Sequence, residues 1–182
     1  KVTLHNQYTL GSTTAQIPVE KTLNVPAGLT GPDEDVTFTF TLAAKDNAPM
    51  PEDGKNVITI SLKSGVEADN FGIIKYTKPG TYKYTVTESG SYTYIDNDAV
   101  SVKEVVVDVT DNNNEMTAVV KYTEGETTSA KVPFTNTYKL VTPDDLSIPV
   151  EKEYTSNPEG IAKPSIDGAY KFTITGEVVE GA

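Results

Sequence analysis

The chain has no cysteine, no tryptophan, no arginine and a single histidine, His5. Without cysteine there is no disulfide, no thiol nucleophile and no zinc–thiolate site; the compartment stays open, because a secreted protein can use another staple. The one histidine lies beside the terminus, so a Ser-His-Asp site would have to be built on a fraying strand. With no arginine and a net charge of −11 over 182 residues, phosphate-rich partners are disfavoured, nucleic acid and anionic membrane surfaces alike. No apolar run approaches the roughly 20 residues of a spanning helix, so no membrane insertion is expected. Nor is there a signal peptide or sorting signal, and the chain reads as a piece of a longer one.

What is present points to strands. Thr, Val and Tyr abound, Pro and Gly recur at short intervals, and no segment carries the 3.6-residue apolar period over helical length. Val36, Phe38, Phe40 and Leu42 alternate with threonines, as in a strand with one wet face. Ile58, Ile60 and Leu62 mark another strand, and further ones are expected at 17–24, 71–76, 81–88, 100–109, 116–122 and 131–140, with a possible short one at 92–95. Residues 11–16, 43–56 and 124–129 read as linker or loop. About nine short strands in roughly 120 residues suggest an all-β, two-sheet sandwich.

Three polar residues break the apolar alternation. Side chains in a strand alternate faces, so Val132, Phe134, Asn136 and Tyr138 point one way, as do Ile17, Val19, Lys21 and Leu23, and Tyr82, Tyr84, Val86 and Glu88. A charge is almost never fully buried unless paired, and a buried carboxamide needs partners. The economical reading is that Lys21, Glu88 and Asn136 meet. Each also has a plainer reading: Lys21 could snorkel at a sheet edge, Glu88 could face solvent beside Ser89-Gly90, and Asn136 could cap neighbouring backbone.

The chain also repeats itself. Ile17-Pro18-Val19-Glu20-Lys21 recurs letter for letter as Ile148-Pro149-Val150-Glu151-Lys152, and Leu4 to Leu10 parallels Phe134 to Leu140. The offsets, 131 and 130 residues, agree within one. Residues 1–10 therefore read as the last strand of a preceding repeat, 11–16 as linker, 17–138 as a complete domain, 139–147 as linker and 148–182 as the opening of a following repeat. Asn6 and Lys152 are then orphans, equivalents of Asn136 and Lys21 whose partners lie outside the chain.

The lysine of Val19-Glu20-Lys21, the run from Pro79 to Glu88 (PGTYKYTVTE) and Phe134-Thr135-Asn136-Thr137-Tyr138 together resemble the Gram-positive pilin isopeptide-linkage domain. The likeness covers 17–138 and partly the flanks. It implies an immunoglobulin-like sandwich and a self-formed amide between Lys21 and Asn136, promoted by Glu88. It also implies an extracellular place on a Gram-positive cell wall, as a stalk repeat of a pilus or surface adhesin.

Burial supplies a chemistry for such a bond. Desolvation lowers an amine pKa and raises that of a carboxylic acid, so a neutral pair becomes accessible. A neutral Lys21 can attack the Asn136 side-chain carbonyl while protonated Glu88 donates to its oxygen and helps ammonia leave. The event turns over once, so the protein is not expected to be an enzyme, and neither cofactor nor metal is expected. The acidic turn at 111–115 lacks the length and glycine of an EF-hand loop. Two other classes remain open. A binding module for a host surface protein or glycan would show a concave aromatic patch, for which Tyr92 and Tyr94 are candidates. A carbohydrate-active enzyme would need two carboxylates across a cleft, and no pair stands out. The partners expected first are neighbouring repeats of the same chain.

Overall fold

The alternation of Val36, Phe38, Phe40 and Leu42 with threonine is realised as β3, Val36–Ala44, whose four apolar side chains are all buried. In the computed structural model the described residues are 2, 4, 5, 11–113, 115–140, 149–151, 159 and 171–175. Asn6 and Lys152 lie outside them. The chain divides into two compact units, Lys1–Thr142 and Pro143–Ala182; the fold below is that of the first.

In chain order the other strands are β1 (Thr13–Ala15), β2 (Pro18–Asn24), β4 (Val57–Leu62), β5 (Gly65–Asn70), β6 (Ile74–Tyr76), β7 (Gly80–Ser89), β8 (Ile95–Asp96), β9 (Val102–Asn112), β10 (Glu115–Glu124), β11 (Thr127–Ser129) and β12 (Val132–Tyr138). One sheet has six strands in the order β11-β10-β9-β7-β3-β4, and a second has four, β5-β2-β12-β8; β1 and β6 form a two-stranded ribbon. No helix occurs among the described residues. The protein is an all-β, immunoglobulin-like sandwich with a continuous apolar core between its sheets, including Phe38, Phe40, Phe71, Tyr84 and Phe134.

Several elements depart from the periodicity. Thr13–Ala15, in a stretch that composition marks as linker, pairs antiparallel with β6. β5, Gly-Val-Glu-Ala-Asp-Asn, is almost wholly exposed, and its six residues pair with β2. The strand expected over 71–76 is confined to Ile74–Tyr76, the one at 92–95 shrinks to Ile95–Asp96, and 127–129 forms a strand in a stretch whose composition reads as loop. In these cases backbone pairing with a neighbouring strand decides where the strand lies, which the side-chain pattern alone does not fix.

The pairing that matters most joins the ends of the domain. β2 and β12, its first and last long strands, lie side by side and parallel, with Lys21 opposite Phe134 and Asn136 opposite Leu23. Parallel neighbours need a long crossover, and here the crossover is the whole intervening domain.

Candidate functional site

Lys21 occupies the centre of β2, where Val19, Lys21 and Leu23 all point inward and are essentially fully buried. Glu88 stands near the end of β7, in line with buried Tyr84 and Val86, and is 6% exposed. Asn136 is fully buried on β12, two residues beyond Phe134 on the same inner face. Lys21 and Asn136 thus come from adjacent strands of one sheet as diagonal neighbours, within reach of a long side chain. Glu88 comes from the facing sheet. None of the three snorkels to solvent.

Lys21 Nζ approaches Glu88 Oε1 to 2.7 Å. The approach is close in distance but not aligned as a hydrogen bond, and neither Nζ nor either Glu88 oxygen has a hydrogen-bond partner among the described residues. The amine also lies 4.3 Å from the centre of the buried Phe38 ring. Burial pushes the Lys21 pKa below the ordinary 10.5; the Glu88 carboxylate beside it opposes this without cancelling it. The amine is therefore easier to deprotonate than one in water, as a nucleophilic amine requires.

The Asn136 carboxamide is held at both ends. Its Oδ1 accepts from the backbone N–H of Asp98 at 2.8 Å, and its Nδ2 donates to Asn97 Oδ1 at 3.2 Å. Asp98 is itself tied down: Oδ1 accepts from Val100 N at 2.9 Å, and Oδ2 from Thr135 N at 2.9 Å and Lys103 Nζ at 3.0 Å. Burial alone would raise the Asp98 pKa, but the backbone donors Thr135 and Val100, with Lys103, outweigh it and hold the carboxyl below its ordinary value.

Asn97, Asp98 and Lys103 join the site without standing out in the strand periodicity. For Lys103 a signal exists: it shares the inward phase of Val105, Val107 and Val109 on β9 and is 5% exposed. For Asn97 and Asp98 there is none, since they lie in a loop with no period to read. Tyr92 and Tyr94 are partly buried against the core. With Tyr138 and the acidic run Asp33-Glu34-Asp35 they line a hollow of about 570 Å³.

Comparison with known proteins agrees with this architecture. A family model described as the Spy0128-like isopeptide containing domain (FctA) matches residues 17–139. Among solved structures, a mutant of the major pilin of Streptococcus pyogenes superposes with a TM-score of 0.51 at 17% identity, covering 68% of this chain and 50% of the pilin. The T-13 major pilin of the same organism gives 0.50 at 22% identity, covering 72% and 55%. The chain thus spans about half the length of each of these pilins, and at such identities the superpositions speak for the fold. No curated protein sequence matches the chain. The family match spans the segment from the first core strand to the last, and the chain belongs to the Spy0128-like isopeptide-containing domains of Gram-positive pilins.

Proposed function

We propose that residues 17–138 form a load-bearing stalk domain of a Gram-positive pilus or cell-wall-anchored adhesin, closed by an amide between Lys21 Nζ and the Asn136 side chain. The observation that carries this reading is the Lys21–Glu88 pair: 2.7 Å apart, excluded from water, unsatisfied in hydrogen bonding, and next to a strand that offers a buried carboxamide. A fold rarely keeps such a pair without a use for it, because breaking even in free energy needs well-aligned partners.

In the proposed step, neutral Lys21 attacks the carboxamide carbon of Asn136. Protonated Glu88 donates to the carbonyl oxygen and then helps shuttle the amine's proton to the departing nitrogen. The fold supplies the proximity that a free amine and amide lack. The result locks the parallel pair β2–β12. Tension entering at β2 would leave through β12 without loading the sheets between. The bond closes a loop of on the order of 100 residues, worth about 4–5 kcal/mol by analogy with a disulfide, and it cannot be reduced. The protein acts on itself once and is not an enzyme in this reading.

The test is the intact mass of the purified chain. It should fall short of the sequence value by one ammonia, with the loss mapping to a joined peptide pair containing Lys21 and Asn136. A full sequence mass in folded, aged protein would remove the reading.

The flanking half-motifs support an array in which neighbouring repeats are the first partners. Lys152, repeating Lys21 in the segment 148–182, should carry a free amine in the 182-residue chain and become blocked when the chain is extended by about one further repeat. Amine labelling that finds Lys152 blocked in the short chain, or free in the extended and folded one, contradicts the array.

The hollow beside Tyr92, Tyr94 and Tyr138 favours a secondary role as a binding module. Tyr92 commits its hydroxyl to the Thr37 backbone, accepting from N at 2.9 Å and donating to O at 3.0 Å. What the hollow offers is then tyrosine faces and carboxylates, a lining better suited to a cationic segment than to a neutral glycan.

A further inference from the structure

Two backbone groups fix the orientation of the Asn136 carboxamide through a chain of three hydrogen bonds. The Asp98 N–H can only donate, so the carboxamide atom 2.8 Å away must be the oxygen. The amide nitrogen is thereby turned towards Asn97 Oδ1, 3.2 Å away. At the other end, the Gly90 carbonyl can only accept, and Asn97 Nδ2 donates to it at 2.8 Å. Asn97 must then present its oxygen, not its nitrogen, to Asn136. Neither amide can flip without losing bonds at both of its ends.

The anchors of this chain are rigid for local reasons. Gly90 has φ +129°, and a Cβ there would stand 3.3 Å from the Thr37 carbonyl, so a side chain at this position would strain the turn that carries the acceptor. Gly90 also lies only two residues beyond Glu88. At the opposite end the Asp98 carboxylate is held by Thr135 N, on the residue preceding Asn136. The three bonds therefore tie the end of β7, which bears Glu88, to the segment of β12 that bears Asn136.

This orientation suits the proposed reaction at each atom that changes. The Lys21 Nζ–Cγ bond forms, the Asn136 Cγ–Nδ2 bond breaks, and one proton of the amine leaves with Nδ2 as ammonia, while the new amide keeps the other. Negative charge gathers on Oδ1 in the tetrahedral intermediate, where the Asp98 N–H already donates. The departing nitrogen faces Asn97, whose side chain is exposed, whereas Lys21 and Glu88 are sealed in the core.

We infer that Asn97 and the Asp98 peptide N–H form a positioning clamp for bond formation, presenting the Asn136 carbonyl oxygen to a donor and its leaving nitrogen to the solvent side. The inference rests on the reading of Lys21, Glu88 and Asn136 given above. Asn97 acts through the carboxamide it orients. It needs no change of charge or protonation.

The experiment follows the 182-residue chain after cell-free translation, sampling intact mass over time. Asn97→Ala removes both side-chain bonds of the clamp and should slow the loss of ammonia by roughly 10- to 100-fold, the scale on which small misplacements act. Asn97→Asp keeps an acceptor for Nδ2 and should recover part of the rate. To separate positioning from folding, the thermal midpoint of Asn97→Ala is compared in a Glu88→Ala background, where no bond is expected; because only the buried Asn136 Nδ2 and the Gly90 carbonyl lose a partner, the midpoint should fall by a few degrees without collapsing. A parental rate in Asn97→Ala overturns the clamp, as does a midpoint collapse in the Glu88→Ala background or an Asn97→Asp rate no better than that of Asn97→Ala. A parent chain that never loses ammonia defeats the underlying isopeptide reading instead, so the two failures look different.

Discussion

Two lysines are buried in this sandwich, each against a carboxylate, and their surroundings differ. Lys103 Nζ donates to Asp98 Oδ2 at 3.0 Å, and Asp98 also accepts two backbone N–H bonds, from Val100 and Thr135. Lys21 Nζ comes within 2.7 Å of Glu88 Oε1, yet neither it nor the carboxylate has an aligned hydrogen bond among the described residues. Both ammonium groups lie near aromatic rings, Lys21 at 4.3 Å from Phe38 and Lys103 at 4.9 Å from Phe134. Aromatic company is therefore not what separates them. The separation lies in satisfaction of the carboxylate: Asp98, held by two backbone donors and Lys103, has its pKa lowered and anchors its lysine, whereas at Lys21 desolvation outweighs the opposing influence of Glu88 and lowers the amine pKa. One pair is fully hydrogen-bonded, and the other is the pair that the proposed function puts to use.

The sharpest way to break this contrast is Glu88→Ala. It should leave a folded chain that keeps its full mass, since alanine retains the strand and removes the proton donor. Loss of the covalent loop, about 4–5 kcal/mol, should lower the thermal midpoint by on the order of 10–20 °C. Calorimetry alongside intact mass would check both parts; a Glu88→Ala chain that loses ammonia at the parental rate would show that the two buried pairs do not differ in the way described.

Lys103→Met should have the smaller and opposite signature. The methionine keeps the buried stem and removes a charged hydrogen bond, costing roughly 1–3 kcal/mol, while the loss of ammonia proceeds to completion. Asp98 adds a dependence on pH. Its folded pKa lies below the ordinary 3.8, so its contribution to stability is present above that value and is lost as pH falls through the lower, folded one. In Lys103→Met that folded pKa should rise, and the acid-side loss of stability should begin at higher pH. Chemical denaturation across pH 2–6, about the carboxylate range, would detect the shift; identical profiles for parent and variant would mean that the two backbone donors hold Asp98 unaided.

Much of the site is legible in the amino-acid sequence. Lys21, Glu88 and Asn136 each fall in phase with an apolar face, and a phase of two leaves only one side on which a side chain can lie. Lys103 carries the same signature, at the edge of a run of valines that dominates the reading of its strand. Asn97 escapes for a different reason: a loop residue has no phase, and its value comes from the two backbone groups it bridges, Gly90 and, through Asn136, Asp98. The exposed strand Gly65–Asn70 escapes too, because its pairing with β2 is made by backbone atoms that every residue possesses.

By itself the sequence determined the strand-forming alternation, the inward direction of the three polar side chains, the repeated lysine motif and the family likeness, all of which are properties of local spacing. Only the tertiary structure decided that β2 and β12 are parallel neighbours, that β7 faces them across the core, and that the loop at Asn97-Asp98 grips the Asn136 amide. The physical reason is that a pleat fixes which way a side chain points, while its neighbours are fixed by which strands pair and stack. In a chain where Lys21 and Asn136 are separated by more than a hundred residues, that pairing depends on the packing of the entire core between them.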